Sequence, residues 1–160
     1  MLLRDVQAAD LPFLREMLYE AVFWLACADR PSFEEGLAYP EVNKILADWG
    51  ARDGDTAVVA AIAATPIGAA WYRCWADDSS IRGYVDAVTP VVVIGVHRDY
   101  RHQGAGKHLL DGLIDRAARQ SIQQISLCVS KDNYAITLYR QKGFVEYADT
   151  GDSFVMVRKV

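Results

Sequence analysis

Arg101, Gly104, Gly106 and Lys107 are the residues whose types and spacing most clearly suit chemistry, in the run RHQGAGK. Before them stand the β-branched residues Val91 to Ile94, then Gly95 and Val96. After them Leu109, Leu110, Leu113, Ile114, Ala117 and Ala118 fall on one helical face. The order is strand, glycine-bearing turn, helix. The first turn of a helix has amide N–H groups without intrahelical acceptors, and its dipole favours negative charge. Glycines there let a phosphate approach the backbone closely. The stretch therefore predicts an anion site suited to a pyrophosphate. Two familiar phosphate loops do not fit. A Walker loop needs glycine where Arg101 stands and Ser or Thr where His108 stands. The dinucleotide fingerprint needs a third glycine or alanine where Leu109 stands.

What remains, Arg101-x-x-Gly104-x-Gly106 between a strand and a helix, resembles the pyrophosphate loop [R/Q]-x-x-G-x-[G/A] of the GNAT superfamily of acyl-CoA-dependent N-acetyltransferases. A second stretch, VSKDNYAITLYRQKGFVEY, resembles the family's later motif N-x-x-A-x-x-L-Y-x-x-x-G-F. Ala135, Leu138, Tyr139, Gly143 and Phe144 hold its spacing, while Asn133 stands two residues before the alanine rather than three. The resemblance is clear from Thr89 to Val160 and weaker upstream.

The resemblance implies a fold and a set of roles. The fold is α/β (α+β), a mixed central sheet of about six to seven strands flanked by about four helices, splayed between the fourth and fifth strands. The chain, 1–160, is expected to be one such domain. The cosubstrate is acetyl-CoA and the acceptor a primary amine, on a small molecule, a protein N-terminus or a lysine. Backbone groups of Ile94 and Val96 would hold pantetheine and the thioester. The amides of Gln103, Gly104, Ala105, Gly106 and Lys107 would wrap the pyrophosphate, with Arg101 adding a charge. Tyr139 matches the tyrosine that protonates the departing thiolate or positions the sulfur. Asn133 is either a helix cap or a polar contact to the cofactor. Trp24, Trp71, Tyr84 and Asp86 are acceptor-side candidates, each with a structural reading beside it: core, sheet packing, or ordinary loop. Glu41 reads better as a carboxylate at a helix start, and His97 better as a strand-end surface residue than as a general base. Arg98 departs from the family, which often has proline there. A homodimer is common in the family, though no residue here demonstrates one.

Composition bounds the alternatives. The chain has 160 residues, 52% hydrophobic and 24% charged, which suits a globular domain with a real core. A net charge of −4 argues against general nucleic-acid or membrane-surface binding. Cys27, Cys74 and Cys128 have no metal-ligand spacing and read as reduced, mostly buried thiols in a cytoplasmic protein. No metal is expected. Two readings of other classes remain: a non-catalytic acyl-CoA sensor or assembly module, and an α/β domain holding another nucleotide.

The remaining elements follow from local pattern. Leu2 to Val6 is a first strand. Asp10 is placed to cap a helix with Pro12 in its first turn, running to about Ala26. Ser32 and Glu35 form a capping box, Pro40 stops or restarts the helix, and Glu41 to Trp49 gives another, ended by Gly50. Thr56 to Ala64 and Ile67 to Trp75 make an antiparallel hairpin broken at Thr65-Pro66, with Trp71 and Trp75 on one face and Tyr72 on the other. Residues 77–80 form a polar loop. Ile125 to Val129, Phe144 to Tyr147 and Ser153 to Lys159 are the later strands, the last two a hairpin, and Gly143 stops the last helix.

Overall fold

The computed structural model describes residues 1–76 and 80–160; all but Ser80 of the expected 77–80 loop lies outside them. Along the chain run β1 (Leu2–Asp5), α1 (Leu11–Val22), α2 (Phe33–Ala38), α3 (Pro40–Asn43), β2 (Thr56–Ile62), β3 (Thr65–Arg73), β4 (Val91–Val96), α4 (Ala105–Arg119), β5 (Gln124–Ser130), α5 (Ala135–Gln141), β6 (Val145–Asp149) and β7 (Ser153–Lys159). The sheet is seven-stranded and mixed, in the order β1-β2-β3-β4-β5-β7-β6. The backbone divides into two compact units, Met1–Trp71 with Val93–Leu113, and Tyr72–Val92 with Ile114–Val160.

In the first unit, β1 pairs antiparallel with β2, Leu2 opposite Ala61 through Asp5 opposite Val58. Val58 to Ala60 and Ile67 to Trp71 are buried without interruption, so these strands read as continuous apolar runs rather than alternating ones. Ala69 and Trp71 of β3 join Leu14, Met17 and Leu18 of α1, Val42, Leu46, Ala57 and Val59 in one cluster. Gly68, just before Ala69, lies on the opposite face, where a Cβ would come within 2.9 Å of Leu109 Cδ1 from α4. Each fully buried aliphatic side chain of this kind contributes about 1.5–3 kcal/mol.

Gly95, in mid-strand, fixes how close β4 comes to α1. A Cβ there would overlap the Met17 carbonyl and lie 2.9 Å from Met17 Cβ. Only a residue without a side chain permits that approach.

In the second unit, β5 pairs antiparallel with β7 along its whole length, Gln124 opposite Lys159 through Ser130 opposite Ser153. β7 carries β6 with a bulge between Glu146 and Ala148. β4 and β5, the strands of the expected splay, run parallel, with Val91 opposite Ser126 and Ser126 N–H donating to Pro90 O (3.1 Å). Over it lies the 81–84 loop. Ser126 Oγ donates to Gly83 O (2.7 Å), and Trp75, Ile81 and Val91 cluster with Tyr84.

Several boundaries differ from the sequence reading. α1 ends at Val22, not Ala26. Asp10 does not cap it: its carboxylate takes both Arg4 donors (2.6 and 2.8 Å) and the Gln7 N–H (2.7 Å) instead. Glu41 to Trp49 gives only the short α3 and a 3-10 turn at Lys44–Leu46. The hairpin turns at Ala63 and Ala64, both at positive φ (47° and 69°), the geometry that matches strand twist, and Pro66 lies inside β3. β3 ends at Arg73, so alternation does not extend to Trp75, and Trp71, Tyr72 and Trp75 are all buried. Cys27 and Cys74 are exposed and Cys128 half-buried, against the expectation of buried thiols. The Ser32 cap is as expected, accepting from Glu35 N–H at 3.2 Å.

Candidate active site

Within the first unit, β4 leads into the predicted anion turn. His97 N–H donates to Ile67 O (2.9 Å), holding the strand end on β3. A 3-10 turn follows at Arg98–Tyr100. His102 and Gly104 then take positive φ, 60° and 86°, on either side of Gln103. Alternation of this kind points successive N–H groups into one concavity, a nest for an anion. Around Gly104 nothing lies within 4 Å of where a Cβ would stand. His108 N–H donates to Gly104 O (3.1 Å) and starts the α4 ladder. The amides of Ala105, Gly106 and Lys107 precede that bond and fall in the turn without intrahelical acceptors.

Arg101 does something the sequence did not suggest. Its guanidinium donates to Val96 O (Nε, 3.2 Å), Trp24 O (Nη1, 2.9 Å), Glu20 O (Nη2, 3.3 Å) and Glu20 Oε2 (Nη2, 2.6 Å). The charge expected to face a phosphate instead caps the end of α1, where a cation suits the exposed carbonyls. Trp24 is half-buried, and its carbonyl is part of this arrangement. Trp71 is fully buried, edge-on to Trp49 at 6.5 Å, and its Nε1 has no hydrogen-bond partner. That is core packing, which corrects the acceptor-wall reading of Trp71. Ile94 and Val96 are half-buried. His97 uses Nδ1 to accept from Asp99 N–H (3.4 Å) and stacks edge-on to Tyr100 at 5.9 Å.

The second unit holds the other candidates. Asn133 acts as a cap, its Oδ1 accepting from Ala135 N–H (2.9 Å). Tyr139 stands in a helix end built like a Schellman motif. Phe144 N–H donates to Tyr139 O (3.0 Å), Gly143 N–H to Arg140 O (3.1 Å), and Gly143 has φ 84°. The Tyr139 and Phe144 rings meet edge-on at 5.8 Å, which fixes the phenol's direction. Burial, reinforced by Tyr134, pushes the Tyr139 hydroxyl well above the ordinary phenol range. A phenol keeps its proton at neutral pH in any case, and the shift makes this one a weaker acid. Tyr84 packs half-buried on the Trp75 cluster. The Asp86 carboxylate accepts from Val88 and Thr89 N–H (2.9 and 2.8 Å). Burial works to raise its pKa, but the hydrogen bonds from Thr89 and Val88 hold it below the usual carboxylate value. Asp86 is thus a turn-forming residue in this arrangement.

The acetyltransferase (GNAT) family matches residues 19–144. The chain belongs to that family. Its fold is shared by solved GNAT structures. A ribosomal-protein-alanine N-acetyltransferase from Brucella melitensis has TM-score 0.70 and 22% identity, covering 100% of both chains. The PaiA N-acetyltransferase from Thermoplasma acidophilum, in complex with coenzyme A, has TM-score 0.68 and 19% identity, covering 99% of this chain and 98% of its own. A phosphinothricin acetyltransferase from Sinorhizobium meliloti, in complex with AcCoA, has TM-score 0.70 and 24% identity, covering 99% and 88%. No curated protein matches the chain.

In this GNAT chain the residues missed from sequence are Glu20 and Arg30. Glu20 Oε1 accepts from Arg30 Nη2 (3.2 Å) while Oε2 accepts from Arg101. A signal existed: a carboxylate in the last turn of a helix opposes the dipole and calls for a cation. Among the described residues no group of three or more His, Cys, Asp or Glu side chains is placed to hold a metal.

Proposed function

We propose that this GNAT protein transfers an acetyl group from acetyl-CoA to a primary amine by direct attack within a ternary complex. The observation that carries the reading is the turn after β4, with positive φ at His102 and Gly104 and open space at Gly104 before α4. Gln103, Gly104, Ala105, Gly106 and Lys107 offer their amides to the pyrophosphate. Arg101 contributes by shaping that turn rather than by a phosphate contact. Backbone groups of Ile94 and Val96 receive pantetheine and the thioester; the parallel pairing of β4 with β5 supports this role. A donor near Val96 would stabilise the charge developing on the thioester oxygen. Asn133 keeps its side-chain amide donors for the cofactor.

The neutral amine attacks the thioester carbonyl, forming C–N. As C–S breaks, the thiolate takes the Tyr139 proton, the amine nitrogen releases one to solvent or a base, and the Tyr139 phenolate regains a proton from solvent. An α-amine, with pKa about 7.7–8.0, needs little help to be neutral, whereas a lysine near 10.4 needs a base. Trp24, Tyr84 and Asp86 remain the proposed acceptor side. We read 1–160 as one domain; the family match takes residues from both units.

The test is a screen of amine acceptors (an α-amino peptide, a lysine peptide, a polyamine) with wild type and Tyr139→Phe. General-acid loss should lower kcat about 10²-fold with acetyl-CoA affinity unchanged. Tight acetyl-CoA binding with no turnover on any amine would instead support a sensor.

A further inference from the structure

One carboxylate, Glu20, serves two arginines. Its Oε2 lies 2.6 Å from Arg101 Nη2 and its Oε1 lies 3.2 Å from Arg30 Nη2. All three side chains are largely withdrawn from water, at 13%, 14% and 16% exposure for Glu20, Arg30 and Arg101. Arg30 is further fixed by the Tyr19 ring, with Cζ 4.5 Å from its centroid, and the Tyr19 hydroxyl donates to Pro31 O (2.6 Å). On the other side Arg101 reaches the Val96 and Trp24 carbonyls. Glu20 therefore joins the first residue of the anion turn to the segment following α1. Withdrawn ion pairs of this kind are costly to break by removing one partner, because the remaining charges stay desolvated.

We propose that Glu20 is a positioning residue for the cofactor: by holding Arg101 against Arg30 it sets the conformation of the 101–107 turn, so that acetyl-CoA affinity depends on the segment after α1. The proposal rests on the acetyl-CoA reading above. Its signature is an effect at a distance. Among the described residues Arg30 has Glu20 as its ion-pair partner and the Tyr19 ring beneath it, with no hydrogen bond to the turn, yet its loss should weaken the cofactor.

The experiment is calorimetric titration of acetyl-CoA into wild type, Glu20→Gln and Arg30→Met. Coupling energies between sites correspond to factors of about 5–150, and each variant should weaken Kd about tenfold with one cofactor still bound per chain. A purely structural role would lower the bound stoichiometry through loss of folded protein and leave Kd unmoved, which would overturn the proposal. So would a tighter Kd in Glu20→Gln, because Arg101 would then have been kept from the phosphate rather than placed for the turn. Wild type that binds no acetyl-CoA would overturn the functional reading instead. Nitrogen relaxation on the ligand-free protein tests the positioning separately. Backbone order parameters at 103–107 should fall from rigid values near 0.85 toward about 0.6 in both variants. Unchanged order parameters would contradict the proposal whatever the ligand.

Discussion

Asp10 and Arg101 show how a correct residue type acquires a different partner once the chain folds. Both were legible as charged residues in the right places, a helix start and a phosphate turn. In each case an ion pair takes the group: Arg4, six residues away, for Asp10, and Glu20, 81 residues away, for Arg101. Local pattern carries no information about such partners. The Asp10 pair has a consequence for acid stability. The Arg4 hydrogen bonds, joined by the Gln7 amide and opposed by burial, hold the Asp10 carboxyl below the ordinary 3.8. A lowered folded pKa adds stability that is present above the unfolded pKa and lost as pH falls through the folded one. Arg4 is 33% exposed, so the pair is worth about 1–2 kcal/mol. Asp10→Asn should lose that amount near pH 7 by urea unfolding, and its stability should fall less than wild type's between about pH 5 and 2. Parallel pH profiles for the two proteins would contradict this assignment.

At the scale of elements, strand and helix order was readable because apolar spacing follows from the backbone period. A glycine inside a strand pattern, as at Gly95, marks a bulge or a close backbone approach, but the sequence does not say what it approaches. The structure supplies the Met17 carbonyl of α1. β4 carries Ile94 and Val96 and delivers Arg101, so this contact places half of the proposed cofactor site. Gly95→Ala should cost about 1–3 kcal/mol or more, since overpacking here sets backbone against side chain with no flexible group to yield. Urea denaturation would show it, and a change under about 0.5 kcal/mol, the range of ordinary surface substitutions, would contradict it. The hairpin was legible, its turn was not: Pro66 drew the break, whereas Ala63 and Ala64 make the turn in a conformation that alanine rarely adopts. Tyr139 was legible through its motif, and the Schellman end explains why Gly143 and Phe144 accompany it.

For the whole molecule, the family and fold were legible in two motifs, while the acceptor side, whose residues follow no fixed spacing, rests on proposals made residue by residue. Trp71 is core, and Asp86 shapes a turn. Among the described residues no helix is long and apolar enough to cross a membrane. The central claim is that the turn after β4 holds the pyrophosphate of acetyl-CoA. The measurement that tests it most directly is a thermal-shift titration with acetyl-CoA, CoA and ATP on wild type and Gly104→Glu. A side chain at Gly104 must adopt φ 86°, and its carboxylate would face the anion. Acetyl-CoA at a hundredfold excess over Kd adds about 2.7 kcal/mol to native stability, a rise of several degrees. The account predicts that rise in wild type and its loss in a folded Gly104→Glu. No shift at millimolar acetyl-CoA, a shift with ATP alone, or an equal acetyl-CoA shift in both proteins would contradict it.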